Sequence, residues 1–219
     1  MVTANSSNTN NLTDNNSALQ PEQHSRKLPT GTDVVLAAQG LGAKIRCTPL
    51  ERSVRISNRI GRDIYLKRED IQVGRSYKVR GAYNFISALA PEDSARGIVC
   101  ASAGNHAQGV AFSCNQLQIK GTIFIPSTTP RQKRNRIRDI GGEWVQVVEV
   151  GATFDECAKE ATRFSAAAGA VYVHPFDDAR TIAGQGTVVK KFLRKHRKPL
   201  RRCLSPSAAA VCLPAHLPG

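Results

Sequence analysis

Short apolar runs alternate with longer helix-forming segments from residue 97 onward, and this alternation limits the possible folds more than any other feature. The apolar runs predict strands at residues 97–101, 121–125, 144–148 and 170–173. The segments between and after them predict helices at residues 105–117, 131–140, 154–168 and from residue 182 onward. Because parallel strands need helical crossovers, the alternation predicts an α/β fold with helices on both faces of a parallel sheet.

One lysine lies at the border between a turn and a helix. Lys78 follows a turn at residues 74–76 and precedes a helix predicted over residues 79–90, which Pro91 is expected to end. Ser76, in the turn, is a residue type that caps helices. A lysine amine that is fixed and partly desolvated at such a place has a lowered pKa and can attack a carbonyl carbon. The alternative is an ordinary, solvated surface lysine.

A second candidate site is a loop of small residues at the carboxyl end of the first of these strands. It contains Ser102, Ala103, Gly104 and Asn105, and the predicted helix starts within it. Backbone N–H groups at a helix start have no intrahelical partner and can bind an anion. In parallel α/β sheets, ligands bind at this carboxyl edge. The alternative is an ordinary strand-to-helix turn that Asn105 caps.

Positive charge is concentrated in two parts of the chain. The formal net charge is +14, and residues 179–219 carry nine of the 31 Lys and Arg residues but none of the 17 acidic ones. The helix predicted at residues 130–140 is also strongly basic. Such charge indicates either a nucleic-acid surface or a solvated helix face. Because no aromatic residues alternate with the basic ones, we favour the solvated face and do not expect nucleic acid as a partner.

The remaining composition argues against several classes of protein. No apolar run reaches membrane-spanning length and no secretory signal is recognisable, so we expect a cytoplasmic protein without a membrane partner. The five histidines lack metal-ligand spacing, and no metal site is expected. The cysteines form no C-x-x-C pair and are expected to be reduced, mostly buried thiols; they are Cys47, Cys100, Cys114, Cys157, Cys203 and Cys212.

The two candidate stretches resemble a known family. Residues 75–83, around Lys78, and residues 101–109, around the loop, are similar to the lysine and asparagine motifs of threonine dehydratases. These are pyridoxal-phosphate (PLP) enzymes of fold type II. Further motifs that fit the family in the same order lie at residues 66–70, 129–133, 174–178 and 182–187. The resemblance covers about residues 33–188 and implies an α/β fold of the tryptophan synthase beta type, with a smaller lobe at about residues 100–176.

The resemblance also implies roles for individual residues. Lys78 would hold PLP covalently and, once released, would remove the Cα proton of the substrate. Asn105 would bind the phenolic oxygen of the cofactor. His106 either positions the loop or is packed in the interior, and both interpretations stay open. The substrate carboxylate would be held by the loop residues Ser102, Ala103, Gly104, Asn105 and His106.

The implied reaction is the PLP-dependent conversion of L-threonine to 2-oxobutanoate and ammonia in isoleucine biosynthesis. Two alternatives are a serine or threonine dehydratase of amino-acid degradation and an inactive fragment whose basic tail binds a partner. Related racemases place an acid/base serine where this chain has Ala103, which favours dehydration over racemisation. Full-length members of the family are expected to be homo-oligomers that act on a small amino-acid substrate.

Both ends of the chain depart from the family. Residues 1–32 are rich in Asn, Ser and Thr and are expected to be disordered. The resemblance ends near Val188, and residues 189–219 form a basic tail that is also expected to be disordered. No glycine lies between Gly186 and Gly219, so the glycine run that would hold the cofactor phosphate is missing. We interpret the tail as a reading-frame artefact or pseudogene product; the alternative is a genuine basic arm.

Overall fold

The structure is a computed structural model that describes residues 28–195, so residues 1–27 and 196–219, which hold most of the two predicted tails, lie outside the described range. Its helices are α1 (Gly31–Leu41), α2 (Val54–Ile60), α3 (Lys78–Ser87), α4 (Pro91–Ala95), α5 (Asn105–Leu117), α6 (Arg131–Gly141), α7 (Phe154–Ala168) and α8 (Ala179–Lys195). Its strands are β1 (Leu50–Arg52), β2 (Tyr65–Lys67), β3 (Ile98–Ala101), β4 (Gly121–Ile125), β5 (Val145–Glu149) and β6 (Val171–Tyr172).

Within the described residues, the central element is a four-stranded sheet with the strand order β5-β4-β3-β6, and all of its strands are parallel. The register pairs Cys100 of β3 with Ile123 of β4, and Ile123 with Val147 of β5. Strands β1 and β2 form a separate antiparallel pair in which Glu51 faces Leu66. The predicted α/β fold with a parallel sheet is therefore confirmed.

Helices cover both faces of the parallel sheet, as the sequence predicts. Ile98 and Cys100 of β3 belong to a core cluster that includes buried side chains of α3, α5 and α6. Val99 and Ala101 belong to a second cluster, together with Cys157 of α7. Because both faces are covered, β3 is apolar and buried at every position.

Helix α3 lies between α5 and α8 and approaches both of them at glycine positions. A Cβ atom added at Gly184 of α8 would lie 2.5 Å from the carbonyl oxygen of Arg80 and 2.8 Å from the Cα of Gly81. A Cβ atom added at Gly109 of α5 would lie 3.0 Å from both the backbone N and the Cα of Val79. These glycines therefore allow the helices to approach at backbone distance, which a larger side chain would prevent.

The helix that carries Lys78 is shorter than predicted. It ends at Ser87 rather than at residue 90. Pro91 does not stop this helix but opens α4, because proline is favoured at the first position of a helix, where its missing N–H costs no hydrogen bond.

The last helix is longer than predicted at both ends. It begins at Ala179 rather than at residue 182, because the Asp178 carboxylate accepts a hydrogen bond from the backbone N of Arg180 at 2.8 Å and satisfies the helix start. It continues to Lys195, since neither proline nor glycine occurs between Gly186 and Pro199. Residues 189–195 of the predicted tail thus belong to α8, and the rest of that tail lies outside the described residues.

The cysteines that the structure describes are free thiols. Cys100, Cys114 and Cys157 are buried, and Cys47 is exposed. No helix within residues 28–195 combines the length and the apolar character needed to cross a membrane. In the same range, no three His, Cys, Asp or Glu side chains come together in a group that could hold a metal ion.

The contact at Gly184 predicts opposite outcomes for two glycine-to-alanine variants. In Gly184→Ala the new methyl group would collide with the α3 backbone, so the free energy of unfolding should fall by about 1–3 kcal/mol. Gly40→Ala is the matched control, because a carbon added at this α1 position has nothing within 4 Å and should raise the free energy of unfolding by about 0.5–1 kcal/mol. Chemical denaturation followed by circular dichroism measures both. Equal stability of the two variants would contradict the close crossing of α3 and α8.

Candidate active site

The start of α3 places Lys78 after a turn of unusual backbone geometry. Gly74 and Arg75 both have positive φ angles, of 72° and 54°. Left-handed geometry is costly for a non-glycine residue such as Arg75, and strain of this kind clusters at functional sites. Ser76 then accepts, through Oγ, a hydrogen bond from the backbone N of Lys78 at 3.3 Å, although the N-cap position itself is Tyr77.

The amine of Lys78 is half-buried and contacts the loop that follows β6. Its Nζ donates a hydrogen bond to the carbonyl oxygen of Pro175 at 2.9 Å. The side-chain amide of Gln185, on α8, donates to the same oxygen at 3.1 Å. Burial lowers the pKa of Lys78, and its acceptor is a neutral carbonyl rather than a carboxylate that would raise that pKa. The alternative of a solvated surface lysine is therefore wrong.

The small-residue loop lies between the carboxyl end of β3 and the start of α5, as predicted. Ser102 Oγ accepts a hydrogen bond from the backbone N of Gly104 at 3.2 Å, which tightens the turn. The hydrogen bond from Gln108 N to Gly104 O, at 3.2 Å, starts the helical ladder, so the amides before it point out of the helix start. The N-cap is Gly104 and makes no side-chain cap. Asn105 is the exposed first helical residue, and the interpretation that it caps the helix is wrong.

His106 is packed in the interior. Its Nε2 lies 3.0 Å from the carbonyl oxygen of Val173, just after β6. Because a carbonyl oxygen only accepts, Nε2 must carry the ring proton. Burial lowers the pKa of His106 to about 4, so the ring is neutral at physiological pH. Its Nδ1 is buried without a hydrogen-bond partner among the described residues.

Packing of α5 against α3 brings the two candidate stretches together. Gly109 of α5 contacts the backbone of α3, where a Cβ atom on the glycine would lie 3.2 Å from the carbonyl carbon of Lys78. The loop follows β3, the Pro175 acceptor follows β6, and these strands are neighbours in the sheet. A desolvated amine and the start of a helix therefore meet at the carboxyl edge of the sheet. Such an arrangement can hold an anion beside a nucleophile.

Sequence reasoning missed a buried ionic contact on the other side of α3. Glu69 lies between the charged residues Arg68 and Asp70, yet it is only 8% exposed. Its carboxylate is bound by Arg80 through Nε at 2.9 Å and Nη2 at 2.7 Å. A signal existed in the sequence, because Arg80 stands between the apolar residues Val79 and Ala82, and a charge on a buried helix face needs a partner.

The basic helix α6 makes contacts within the protein. Arg134 and Arg138 both bind the carboxylate of Glu149 on the edge strand β5, the second of them at 3.0 Å. Arg136 donates a hydrogen bond from Nε to the side-chain oxygen of Gln108 in α5 at 2.8 Å. The hydrogen bond from Arg134 is the main cause that lowers the pKa of Glu149. Most of α6, including Arg136 and Arg138, is exposed as the interpretation of a solvated face requires, and these arginines also make contacts within the protein.

Fold and site together define a parallel α/β domain that presents a half-buried lysine amine near the start of a helix at the carboxyl edge of the sheet. Residues 42–213 match the family model described as "Pyridoxal-phosphate dependent enzyme". The chain therefore belongs to the family of pyridoxal-phosphate dependent enzymes, and the predicted fold type II class is confirmed.

Comparison with curated relatives shows which members of the family the chain is similar to. The chain is 48% identical over 164 residues to the "L-threonine dehydratase biosynthetic IlvA" of Mycobacterium bovis and 48% identical over 160 residues to that of Bacillus subtilis. These matches cover 75% and 73% of this chain but 38% of each relative. The resemblance to threonine dehydratases is confirmed, and the chain spans well under half the length of these relatives.

Solved structures share the fold of the described residues. The processed form of threonine deaminase isoform 2 from Solanum lycopersicum has a TM-score of 0.69 at 38% identity, with 78% of this chain and 50% of that chain covered. Maize serine racemase has a TM-score of 0.72 at 30% identity, with 77% and 50% covered. Because a deaminase and a racemase fit about equally well, the fold alone does not select the reaction.

The desolvated amine predicts a pH-dependent stability difference between the natural chain and Lys78→Met. Folding lowers the pKa of Lys78, so the charged amine destabilises the folded state while the pH lies below the lowered pKa. As the pH rises through that pKa toward the ordinary value of 10.5, this penalty disappears. Lys78→Met should therefore gain stability over the natural chain near neutral pH, and the gain should shrink at alkaline pH.

Urea denaturation near neutral pH and at alkaline pH measures this difference. Lys133→Met serves as the control for removal of a lysine, since Lys133 is an exposed residue of α6. Methionine also adds apolar contacts, but their contribution does not change with pH. A stability difference at Lys78 that stays constant across the pH range would show that its pKa is not lowered.

Proposed function

We propose that this chain carries the lysine-bearing part of a PLP-dependent threonine ammonia-lyase, which converts L-threonine to 2-oxobutanoate and ammonia in isoleucine biosynthesis. The observation that carries the proposal is the half-buried Lys78 amine, 2.9 Å from the Pro175 carbonyl and beside the start of α5. The similarity to biosynthetic L-threonine dehydratases supports the substrate and the pathway.

The side chains at the site fit pyridoxal phosphate. An aldehyde cofactor needs an amine that can lose its proton, and burial lowers the pKa of Lys78 in that direction. The phenolic oxygen of the cofactor needs a hydrogen-bond donor, and the exposed Asn105 amide offers one at the start of α5. When bound, PLP supplies an electron sink for the charge that develops at the substrate Cα.

Lys78 has two tasks in this proposal. It holds the cofactor covalently, and its amine, once free, takes the proton from the substrate Cα. The neutral Pro175 carbonyl orients Nζ without keeping a proton on it as strongly as a carboxylate would. Gln185 holds that carbonyl in place from α8. The amine can therefore take up and release a proton at one fixed position.

The start of α5 is the proposed binding site for the substrate carboxylate. A helix N-terminus carries partial positive charge and free amides, which attract a carboxylate. The hydrogen bond between Ser102 and Gly104 fixes the loop before a ligand arrives, and such preorganisation strengthens electrostatic binding. The residues assigned to this loop are Ser102, Ala103, Gly104, Asn105 and His106.

Ala103 favours a lyase over a racemase. A racemase that uses two bases needs a second proton carrier near the reacting carbon, and a methyl group cannot carry a proton. The Ala103 side chain is partly buried against the main core cluster. This position therefore supplies no acid/base group to the substrate.

The same proposal includes the lobe boundaries, the oligomeric state and the cellular location of the enzyme. We place the smaller lobe at about residues 100–176, the part that holds most of the parallel sheet. The full protein would act on a small amino acid, as a homo-oligomer in the cytoplasm. Because the matches cover 38% of each relative and no glycine lies between Gly186 and Gly219, cofactor affinity is the property to measure first.

Titration with PLP tests the proposal. The natural chain should develop a visible absorption band that Lys78→Ala lacks, and borohydride reduction should place the cofactor on Lys78 in peptide mass spectra. Lys120→Ala is the control and should keep the band, because Lys120 precedes β4 at the opposite edge of the sheet and stacks on Trp144 at 4.6 Å. Release of 2-oxobutanoate from L-threonine then tests the reaction. Modification of a different lysine, or no band at saturating PLP, would contradict the proposal.

A further inference from the structure

We infer that Glu69 and Arg80 form a positioning pair that fixes the rotation of α3 about its axis and so holds the Lys78 amine against Pro175. Lys78 and Arg80 are two residues apart at the helix start, so their side chains leave the helix about 200° apart. Lys78 contacts the loop after β6, and Arg80 contacts the segment after β2. Because both side chains belong to one rigid turn, a fixed Arg80 fixes the direction of Lys78.

The contact between Arg80 and Glu69 has the geometry that such a task requires. Arg80 binds the two carboxylate oxygens separately, with Nε 2.9 Å from Oε2 and Nη2 2.7 Å from Oε1. Two parallel bonds between planar groups fix an angle as well as a distance. Arg80 is 1% exposed and Glu69 is 8% exposed, so bulk water does not compete for the contact.

Glu69 is itself held by side chains from before β1 and from β2. Thr48 donates from Oγ1 to Oε1 of Glu69 at 2.5 Å, and Nζ of Lys67 lies 3.1 Å from the same oxygen. Arg80 Nη2 also donates to the carbonyl oxygen of Arg46 at 3.3 Å. Burial alone would raise the pKa of Glu69, but the Arg80 guanidinium and the Thr48 hydroxyl hold that pKa below its usual value. The carboxylate therefore stays charged and keeps both bonds.

The ion pair adds a bidentate contact to a helix whose other side chains already pack into two core clusters. Where α3 crosses α8, the backbone approaches Gly184 closely, and Asn84 Nδ2 donates a hydrogen bond to the carbonyl oxygen of Arg180 at 2.8 Å. The desolvation of a buried ion pair offsets much of its attraction, so its stabilising effect is small compared with its geometric one. The pair supplies a directional contact in the first turn of α3, on the side away from Lys78, in addition to the Asn84 hydrogen bond further along the helix.

The inference rests on the proposed role of Lys78, but its test measures the amine itself in the full 219-residue chain, without cofactor. Reductive methylation with formaldehyde and cyanoborohydride labels neutral amines, and peptide mass spectrometry quantifies the label at Lys78 across a pH series. Exposed Lys133 is the internal reference. The midpoint of the Lys78 profile reports how far the amine is shielded from water.

The other titratable groups around Lys78 do not interfere with the comparison of its labelling midpoint between variants. His106 of α5 is neutral throughout, since burial lowers its pKa to about 4. The ring centre of Tyr77 lies 5.6 Å from Nζ of Lys78. His174 stands next to Pro175 in the loop and interacts with His106. All of these are unchanged in the variants, so a shifted midpoint comes from the substitution.

Two variants break the pair in different ways. Glu69→Gln removes the negative charge, whereas Arg80→Lys keeps the charge and removes the planar fork. Both should let the amine turn toward water and raise the midpoint of Lys78 by about 0.5–1 pH unit. A direct charge effect would have the opposite sign in Glu69→Gln, because removal of a negative charge lowers the pKa of an amine. A raised Lys78 midpoint in both variants therefore supports the inference that the pair positions the Lys78 amine.

Glu149→Gln is the matched control, since it also breaks a carboxylate–arginine contact, with Arg138 at 3.0 Å, and should leave the midpoint unchanged. An unchanged or lower midpoint in Glu69→Gln, in a variant with the natural circular dichroism spectrum, overturns the inference. Unfolding of both pair variants while Glu149→Gln folds would make the pair a folding element and also overturns it. A raised midpoint in a chain that never binds PLP would support the pair and contradict the proposed function instead.

Discussion

The passage of α3 between α5 and α8 at backbone distance is the constraint on which the site depends. Gly109 lets the first turns of α5 lie against the backbone at Lys78. Gly184 lets α8 approach from the other side, next to Gln185, which holds the acceptor of the Lys78 amine. A side chain at either glycine would separate the amine from one of its neighbours. The geometry of the site therefore depends on glycine at positions 109 and 184 as much as on the side chains of the other residues.

The two cationic side chains at the start of α3, Lys78 and Arg80, lie in opposite electrostatic environments. Arg80 is matched by the Glu69 carboxylate, so a full negative charge compensates its desolvation. Lys78 receives only the Pro175 carbonyl, and its pKa is lowered as a result of burial. The first environment suits a group that must stay charged and fixed, and the second suits a group that must exchange a proton. Because the two side chains diverge from positions two residues apart, the fold can place these environments on opposite sides of one turn.

Local signals predicted the scaffold, whereas the site depended on contacts between distant segments. Three elements match the prediction in both bounds: the strand at residues 121–125 and the helices at 105–117 and 154–168. They match because the periodicity of apolar residues is a property of consecutive residues. The last helix also begins with a capping box at Thr153. The contact of Lys78 with Pro175 spans 97 residues and uses a backbone carbonyl, which any residue type would provide. Glu69 is flanked in sequence by the charged residues Arg68 and Asp70, so no local pattern predicts its burial. Its buried contact with Arg80 forms only in the folded chain.

Under the proposed function, the side chains of the loop explain how a scaffold shared with racemases can favour elimination. Ala103 has no proton to exchange, and Asn105 does not ionise in water. His106 is neutral, with Nε2 committed to the Val173 carbonyl and Nδ1 buried. Lys78 is then the amine that both takes the Cα proton and returns one. Under the proposed function the proton that Lys78 takes from one face of the substrate leaves with the departing hydroxyl group as water, and Ala103, Asn105 and His106 deliver no proton to the opposite face. The choice of reaction therefore lies in the loop between β3 and α5, while the surrounding helices fix the position at which either reaction would occur.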